Sequence, residues 1–508
     1  MGRFFYSDPH ARTNFYGVKE PWRVMSGNIT MARVLYIYHM RNRIPLHFIC
    51  FFILVLCFSG KPEGADYDTD LLSPEFHKGR REALRALMPD SSVAVFFSNP
   101  VHTRANDVQF DFHQDPNLYY LTGLREPNAV LLVFKEKRKI DSLFTNEILF
   151  VQKRSPRDES WTGKRLGTTG AKNRLRINSV LEGKDFISLA IDYSKFTKVL
   201  CAPLNDDVHD DTYDGADLYS LQEHFRSKTA KAKNVDANQL NECMALLRQI
   251  KTTEEMELLR KAINISNESH IELMKALDST WTEYQVQAAI QYEFMKRGAE
   301  ACGYPSICGA GENTCILHYV TNRKPMEHNE LIVVDCGAEY HGYTADITRT
   351  LPANGKYSPE QKAIYDIVLE AQLAGIAKCK KGNEFRDPHK TAVAIIKKRL
   401  KALGIIEKEE DYNKYFFHGT SHYLGLDVHD AGMYGALQPG NVITVEPGIY
   451  IPAGSPCDPK WWNIGVRIED DVLITEGEPE VLSGAVPKST VDVEKMMALD
   501  SYLNTKGK

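Results

Sequence analysis

The chain has 508 residues, 43% hydrophobic and 25% charged, with 62 Lys plus Arg against 67 Asp plus Glu for a formal charge of −5. This balance excludes a disordered, collagen-like or multi-span membrane chain, and near-neutrality leaves no electrostatic footprint for nucleic acid. Ten cysteines are too few for a disulfide scaffold, and at about 150 residues per domain the length suits two to four domains.

The first feature along the chain is Phe48 to Phe58 (FICFFILVLCF), an unbroken apolar run with Arg41 and Arg43 before it and Ser59-Gly60 after it. As a helix the run rises only about 16 Å, roughly half a bilayer core. A basic flank, a short apolar core and a small-residue exit read as a secretory signal peptide rather than a stable membrane span. Met40 opens this pattern, so residues 1–60 are taken as an upstream segment and signal peptide. The protein is then exported, periplasmic or secreted; if the signal is not used, it is cytoplasmic. A signal anchor and a buried hydrophobic helix are the competing readings. Of the eight remaining cysteines, Cys302, Cys308 and Cys315 are close together but lack paired zinc-knuckle spacing, and read as buried thiols.

Residues 66–236 alternate strand and helix patterns. Ser92–Phe97, Ala129–Phe134, Glu147–Gln152 and Lys198–Pro203 are short runs rich in Val, Ile and Phe, suited to strands covered on both faces of an α/β domain. Asp206–Asp217 (DDVHDDTYDGAD) lacks the Gly and Glu positions of an EF-hand loop and reads as a solvated acidic loop. The polar stretch Ser227–Asn238 is the expected linker.

Residues 240–495 open on helices with their own start signals. Thr252 with Glu255 and Thr282 with Gln285 form capping boxes ahead of apolar periods, and Gly298 is a stop. Ser358-Pro359 and Asp387-Pro388 open two more helices, the second ending at Gly404. Strand-like runs alternate with them at Leu331–Cys336, Thr344–Leu351, Val442–Ile451 and Gly465–Thr475. Helices beside hairpins predict an α+β domain with a curved, largely antiparallel sheet.

The chemistry lies in this half. In LIVVDCGAEYHGYTADITRTL, Asp335 ends an apolar run and Asp346 sits in the returning strand of a hairpin. Two carboxylates side by side in apolar surroundings repel and are poorly solvated, and a cation resolves both problems; a pair of turn or surface aspartates is the alternative. HGTSHYLGLDVHD packs His418, His422 and His429 and two aspartates into thirteen residues. Imidazole is both a metal ligand and a donor to an oxyanion. Glu446 closes a strand immediately before Pro447-Gly448, where the ladder must end. Arg467 and Glu469 share a strand face, which also suits an ordinary salt bridge. Together two Asp, two Glu and one His suffice for two divalent ions about 3.5–4 Å apart. An oxygen-rich set with one imidazole is expected to hold Mn(II) or a similar borderline cation, rather than to be a thiolate zinc site.

VDCGAEYHGYTADITRT, HGTSHYLGLDVHD, TVEPGIY and GVRIEDD resemble the motifs of the pita-bread metallopeptidases, and among these of aminopeptidase P, the Xaa-Pro aminopeptidases. The resemblance spans about residues 67 to 490; FHQDPNLYYLTGLREPNAVLLVF is similar to the N-terminal domain shared by aminopeptidase P, prolidase and creatinase. It implies a pita-bread catalytic domain preceded by an α/β creatinase-type domain. It also implies release of the N-terminal residue from peptides with proline second, by a water activated between two divalent ions. By the same resemblance Asp335 is a terminal metal ligand, Asp346 and Glu469 bridge, and His422 and Glu446 complete the second site, Glu446 also moving a proton. His318 (in GENTCILHY) matches a histidine near the scissile bond, His429 one that stabilises the oxyanion, and Arg467 an arginine at the substrate end. His418 matches a supporting histidine behind the ligands. Relatives often form dimers or tetramers, so a homo-oligomer is expected. Thr420, where many relatives carry an aliphatic residue, and the segment Ile451–Asn463 with Trp461-Trp462 depart from the pattern. Prolidase shares the ligands but takes dipeptides. A creatinase-like enzyme lacks the metal set, and a silent binding module usually loses ligands; here all five are filled.

Overall fold

The computed structural model describes residues 68–504. The apolar run Phe48–Phe58 lies outside the described residues. Among the described residues no helix is long and apolar enough to cross a membrane. From Leu71 onward the chain packs as one unit.

All four strands expected in the first half form. They build a five-stranded sheet in the order Val180–Glu182, Leu143–Val151, Val130–Ile140, Val93–Phe97, Val199–Cys201. The inner pairings are antiparallel and the two outer ones parallel. Val93, Val95 and Phe97 join Val130, Leu132 and Phe134 in one apolar layer. Ala94 and Phe96 join Leu131 and Val133 in the other. Alternate side chains thus enter opposite layers, which is why the runs carry no polar alternation.

Two features depart from the sequence reading. Val130–Ile140 and Leu143–Val151 continue past their apolar parts, through a register irregularity between Val133 and Arg138, to a hairpin that closes at Ile140 and Leu143. The stretch 227–238 is less a linker than two helix ends: Leu218–Thr229 takes its start and Ala237–Arg248 its finish. Between them Val199 N donates to Asn234 O at 2.8 Å and Asp236 N to Val199 O at 2.9 Å, so the chain joins the sheet edge. The acidic loop is exposed at Asp206, Asp207, Asp210 and Asp211. Its last member, Asp217, is buried and caps Leu218–Thr229 through Ser220 N at 2.8 Å. Cys308 is buried and Cys302 and Cys315 are half-buried; all eight described cysteines are free thiols.

In the second half the capping signals are realised. Reciprocal boxes open Thr253–Ala276, Glu283–Lys296 and Pro359–Ile376, and Asp387–Ala402 forms without a side-chain cap. One helix pair packs Leu259, Ile263 and Ile290 against Val334 and Ile347. The other packs Ile364, Val368 and Ile396 against Ile449 and Val466.

The three later strands expected as continuous are each interrupted. Tyr343–Thr344 resumes as Thr348–Pro352, Val442–Val445 as Gly448–Ile451, and Ile464–Arg467 as Asp470–Leu473. The breaks contain Asp346, Glu446 and Glu469. Pro447 cannot donate to a ladder, so one break follows from sequence. The register explains another: Val445 pairs with Asp470 and Gly448 with Arg467, which sets Glu446 opposite Glu469 in the gap. A gap in the ladder is where opposed carboxylates can turn toward one another. Gly337 is required nearby, because a Cβ there would lie 1.8 Å from Ala345 O.

Two buried histidines make stability pH-dependent. His270 donates from Nε2 to Cys336 O at 3.0 Å, and His77 from Nδ1 to Tyr120 O at 2.9 Å. Burial lowers each to about 4. Below pH about 6.5 the unfolded chain binds protons that the folded chain refuses, so stability is full above that value and falls as pH drops toward 4. The loss is about 3 kcal/mol per histidine. A urea series from pH 7 to 4.5 should show this slope, and His270→Gln, which can still donate but does not titrate, should flatten it. An unchanged slope in that variant would contradict the burial argument.

Candidate active site

The hairpin brings Asp335 and Asp346 together, as the two-carboxylate reading required. Tyr304 Oη lies 2.6 Å from Asp335 Oδ1 and 2.6 Å from Asp346 Oδ1. One hydroxyl has one proton, so the two carboxylates share a single donor. Asp335 Oδ2 accepts from Arg467 Nη2 at 2.5 Å. Arg467 Nε donates to Thr348 Oγ1 at 3.3 Å, and the Thr348 hydroxyl donates to Glu469 Oε2 at 2.6 Å. The simple Arg467–Glu469 salt bridge is therefore not what forms: Arg467 pairs with Asp335, and Thr348 holds Glu469.

His422 completes the cluster. Its Nδ1 donates to Tyr423 O at 3.1 Å, which leaves Nε2 toward Asp346 Oδ2 at 3.4 Å and Glu446 Oε1 at 3.6 Å. Asp346, His422 and Glu469 each place a ligand atom within 4.8 Å of the others. His418 faces Glu446 Oε2 from Nδ1 at 3.8 Å and meets Tyr450 Oη through Nε2 at 3.0 Å. Arg467 Nη1 donates to the same Tyr450 oxygen at 3.1 Å. Burial, then the Arg467 charge, lowers His418 to about 4. It is neutral at pH 7, and because its Nδ1 donates to Gly419 O at 2.6 Å, its Nε2 accepts from the Tyr450 hydroxyl. The ring of His429 stands edge-on to His422, centroids 4.4 Å apart. His318 is exposed and is near enough to His418 and His429 to be a minor influence lowering both.

The electrostatics describe a surplus of buried negative charge. Burial, then Asp346, Glu446 and Asp335, pushes Glu469 well above the carboxylate range. Burial and the neighbouring aspartates hold Glu446 at about 7 against the pull of His422 and Arg467. Burial raises Asp335 despite Arg467. Burial opposes charge on His422, but Asp346 and Glu446 outweigh it and raise the ring to about 9. A cation placed among these groups stabilises every carboxylate at once. Four carboxylates and one imidazole, with no thiolate, fit hard to borderline divalent ions.

The model of metallopeptidase family M24 matches residues 257–476, and that of the aminopeptidase P N-terminal domain matches 77–199. The chain is 34% identical over 446 residues to a Haemophilus influenzae protein named Xaa-Pro aminopeptidase, covering 85% of this chain and 99% of the relative. The chain belongs to the aminopeptidase P group of metallopeptidase family M24. Among solved structures, a Pseudomonas aeruginosa aminopeptidase aligns with a TM-score of 0.75 at 34% identity, covering 85% of this chain and 99% of that one. Escherichia coli aminopeptidase P, solved with the inhibitor Pro-Leu, aligns with a TM-score of 0.75 at 33% identity, covering 84% and 98%. The expected fold, a pita-bread domain preceded by an α/β creatinase-type domain, is the fold of this family.

Three residues of this aminopeptidase P site were not anticipated. Tyr304, in Gly303-Tyr304-Pro305, belongs to no acidic or periodic pattern. Tyr450 had a signal: in a strand it shares a face with Glu446, four residues earlier. Asp471 had one as well, two residues past Glu469. Its Oδ2 accepts from Asp346 N at 3.2 Å, and burial followed by Asp346 raises its carboxyl well above the usual range. Tyr304 also lines a cleft of about 1100 Å³ walled by Phe112, His113 and Tyr119 from the first half and by Glu339 and Asp427 from the second. Tyr304 is the link between this cleft and the two aspartates, neither of which lines it.

Proposed function

We propose that this chain is a metal-dependent exopeptidase that releases the N-terminal residue from peptides with proline in the second position. The observation that carries the reading is the convergence of Asp335, Asp346, His422, Glu446 and Glu469 around one cluster whose negative charge calls for cations. These five residues would hold two divalent ions, with Mn(II) the ion that best suits an oxygen-rich set with one imidazole. Bound there, the ions supply Lewis acidity for the scissile carbonyl and for a water.

The chain's own groups do the rest. Glu446 takes a proton from the attacking water and returns it to the proline nitrogen as that nitrogen leaves. The departing nitrogen of any amide needs a delivered proton, and the bond before proline, a tertiary amide without N–H, cannot in addition be recognised through a donor of its own. His429 and His318 stand at the open side, where the carbonyl oxygen gains negative charge, and imidazole donors suit that place. Arg467 fixes Asp335 and, through Tyr450, His418.

A chelated sample should lose turnover of an Xaa-Pro-Yaa tripeptide and regain it on adding Mn(II). Equal or greater turnover of an Xaa-Pro dipeptide would favour the prolidase reading instead. Activity untouched by exhaustive chelation would overturn the metal reading. A division into residues 66–236 and 240–495 is part of the proposal; the two family matches fall inside these parts, and the helix Ala237–Arg248 runs across the boundary. A homo-oligomer, dimer or tetramer, is part of the proposal and is checked by light scattering. Export by the segment before residue 60 is also part of it, with a cytoplasmic protein as the alternative; N-terminal sequencing of the native protein distinguishes the two.

A further inference from the structure

His429 makes no ring hydrogen bond among the described residues; its ring contact is the edge of His422. Its place is therefore set by the backbone of its loop. That loop is tied by Leu424 N to Val442 O at 3.1 Å, Thr344 N to Gly425 O at 2.9 Å and Asp430 N to Tyr423 O at 2.9 Å. The strongest tie is a side chain. Asp430, adjacent to His429, points into the protein and accepts from Arg248 Nη2 through Oδ1 and from Lys251 Nζ through Oδ2 at 2.8 Å. The side chains of Arg248, Lys251 and Asp430 are 3%, 0% and 2% exposed.

Both cations come from the end of the helix Ala237–Arg248 and the turn after it. Lys251 Nζ also donates to Arg248 O at 2.6 Å. Arg248 has two further partners, Asp427 Oδ2 at 2.7 Å and Asn117 Oδ1 at 2.8 Å. Asn117 belongs to the helix Pro116–Thr122 of the first half, so the cluster reaches from the N-terminal sheet domain to the histidine loop. Gly425 packs against it: a Cβ there would lie 2.2 Å from Asp430 Oδ2 and 2.8 Å from Lys251 Cε. Two cations and the Asp430 carboxylate out of water are a poor device for stability alone, since apolar residues of similar volume serve as well. What they provide is a fixed direction in space.

We propose that Arg248 and Lys251 are positioning residues for peptide hydrolysis: by clasping Asp430 they hold the loop that presents His429 to the scissile group, with Asn117 tying the N-terminal domain to the same clasp. The inference rests on the aminopeptidase reading above. An inactive wild-type enzyme would fault that reading, whereas the variants below test the clasp.

Lys251→Met should lower kcat by about 10- to 100-fold with KM changed less than about two-fold, the size expected when a reacting group is misplaced by a fraction of an ångström to an ångström. Bound metal should equal wild type. Lys251→Arg should restore most of kcat. The decisive comparison is a double-mutant cycle, because a residue that acts through His429 has nothing to act through once that ring is gone. In a His429→Ala background, Lys251→Met should cost less than about two-fold. An equal fold loss in both backgrounds, or loss of metal, would overturn the inference. If Lys251→Met does not fold, Asp427→Asn carries the test, since that side chain is 44% exposed and releases one contact of Arg248. It should lower kcat by about 3- to 10-fold only while His429 is present. Wild-type kcat in Asp427→Asn would overturn the inference.

Discussion

Asp346→Asn will lower turnover of an Xaa-Pro tripeptide by more than about 10³-fold while leaving the fold intact, because it removes charge from the one carboxylate that faces every part of the cluster. Asp346 shares the Tyr304 hydroxyl with Asp335, faces His422 Nε2 at 3.4 Å, and lies within ligand reach of Glu469. Asparagine has the same shape and can still accept from Tyr304, so packing is preserved. It also removes one of the repelling buried charges, so the thermal midpoint of the chelated protein should stay or rise. Circular dichroism, a thermal melt and a tripeptide assay on one preparation decide the matter. Near-normal rates would refute the site.

Arg349→Met will act the other way, on stability rather than chemistry. Arg349 and Asp470 are both fully buried and paired at 2.8 Å. The guanidinium also donates to Thr348 O at 2.9 Å, Glu469 O at 2.5 Å, Val486 O at 3.0 Å and Pro487 O at 3.1 Å. It thereby fastens the strand after Asp346, the gap at Glu469 and the C-terminal segment. Removing it strands buried carbonyls and leaves Asp470 to Lys488, Ser483 and Gln372. Breaking such a pair costs about 3–5 kcal/mol. Burial opposes the Asp470 charge, but Arg349 and Lys488 hold its carboxyl far below the usual range. Its contribution is therefore present above the ordinary carboxylate pKa and is lost only in strong acid. A urea titration at pH 7 should show the full loss. In an Asp470→Asn background Arg349→Met should cost distinctly less, and an equal loss there would show that the charge pair is not the cause.

Three of the five proposed ligands are legible because each breaks a local rule. Asp335 is a charge at the end of LIVVD, Glu446 precedes a proline that ends its strand, and His422 stands in a loop dense with imidazole and glycine. The helix starts were legible because capping is local: Thr252 and Glu255 satisfy each other three residues apart whatever the rest of the chain does. The interruptions at Asp346 and Glu469 were not legible, since hydrophobic period continues through ADITRTL and VRIEDDVL while the ladder does not. A gap in pairing is decided by what lies opposite, and no window along the chain contains that. Tyr304 was invisible for the same reason: its partners are 31 and 42 residues away. The Arg248–Asp430 contact spans 182 residues, and neither residue alone carries a sign of it.

The central claim is that five side chains from four separate segments hold two divalent ions. Anomalous diffraction from crystals grown with Mn(II), recorded at the manganese edge, tests it most directly. The expected result is two peaks per chain among Asp335, Asp346, His422, Glu446 and Glu469. No peak among these residues, or manganese bound only elsewhere on the protein, would contradict the account.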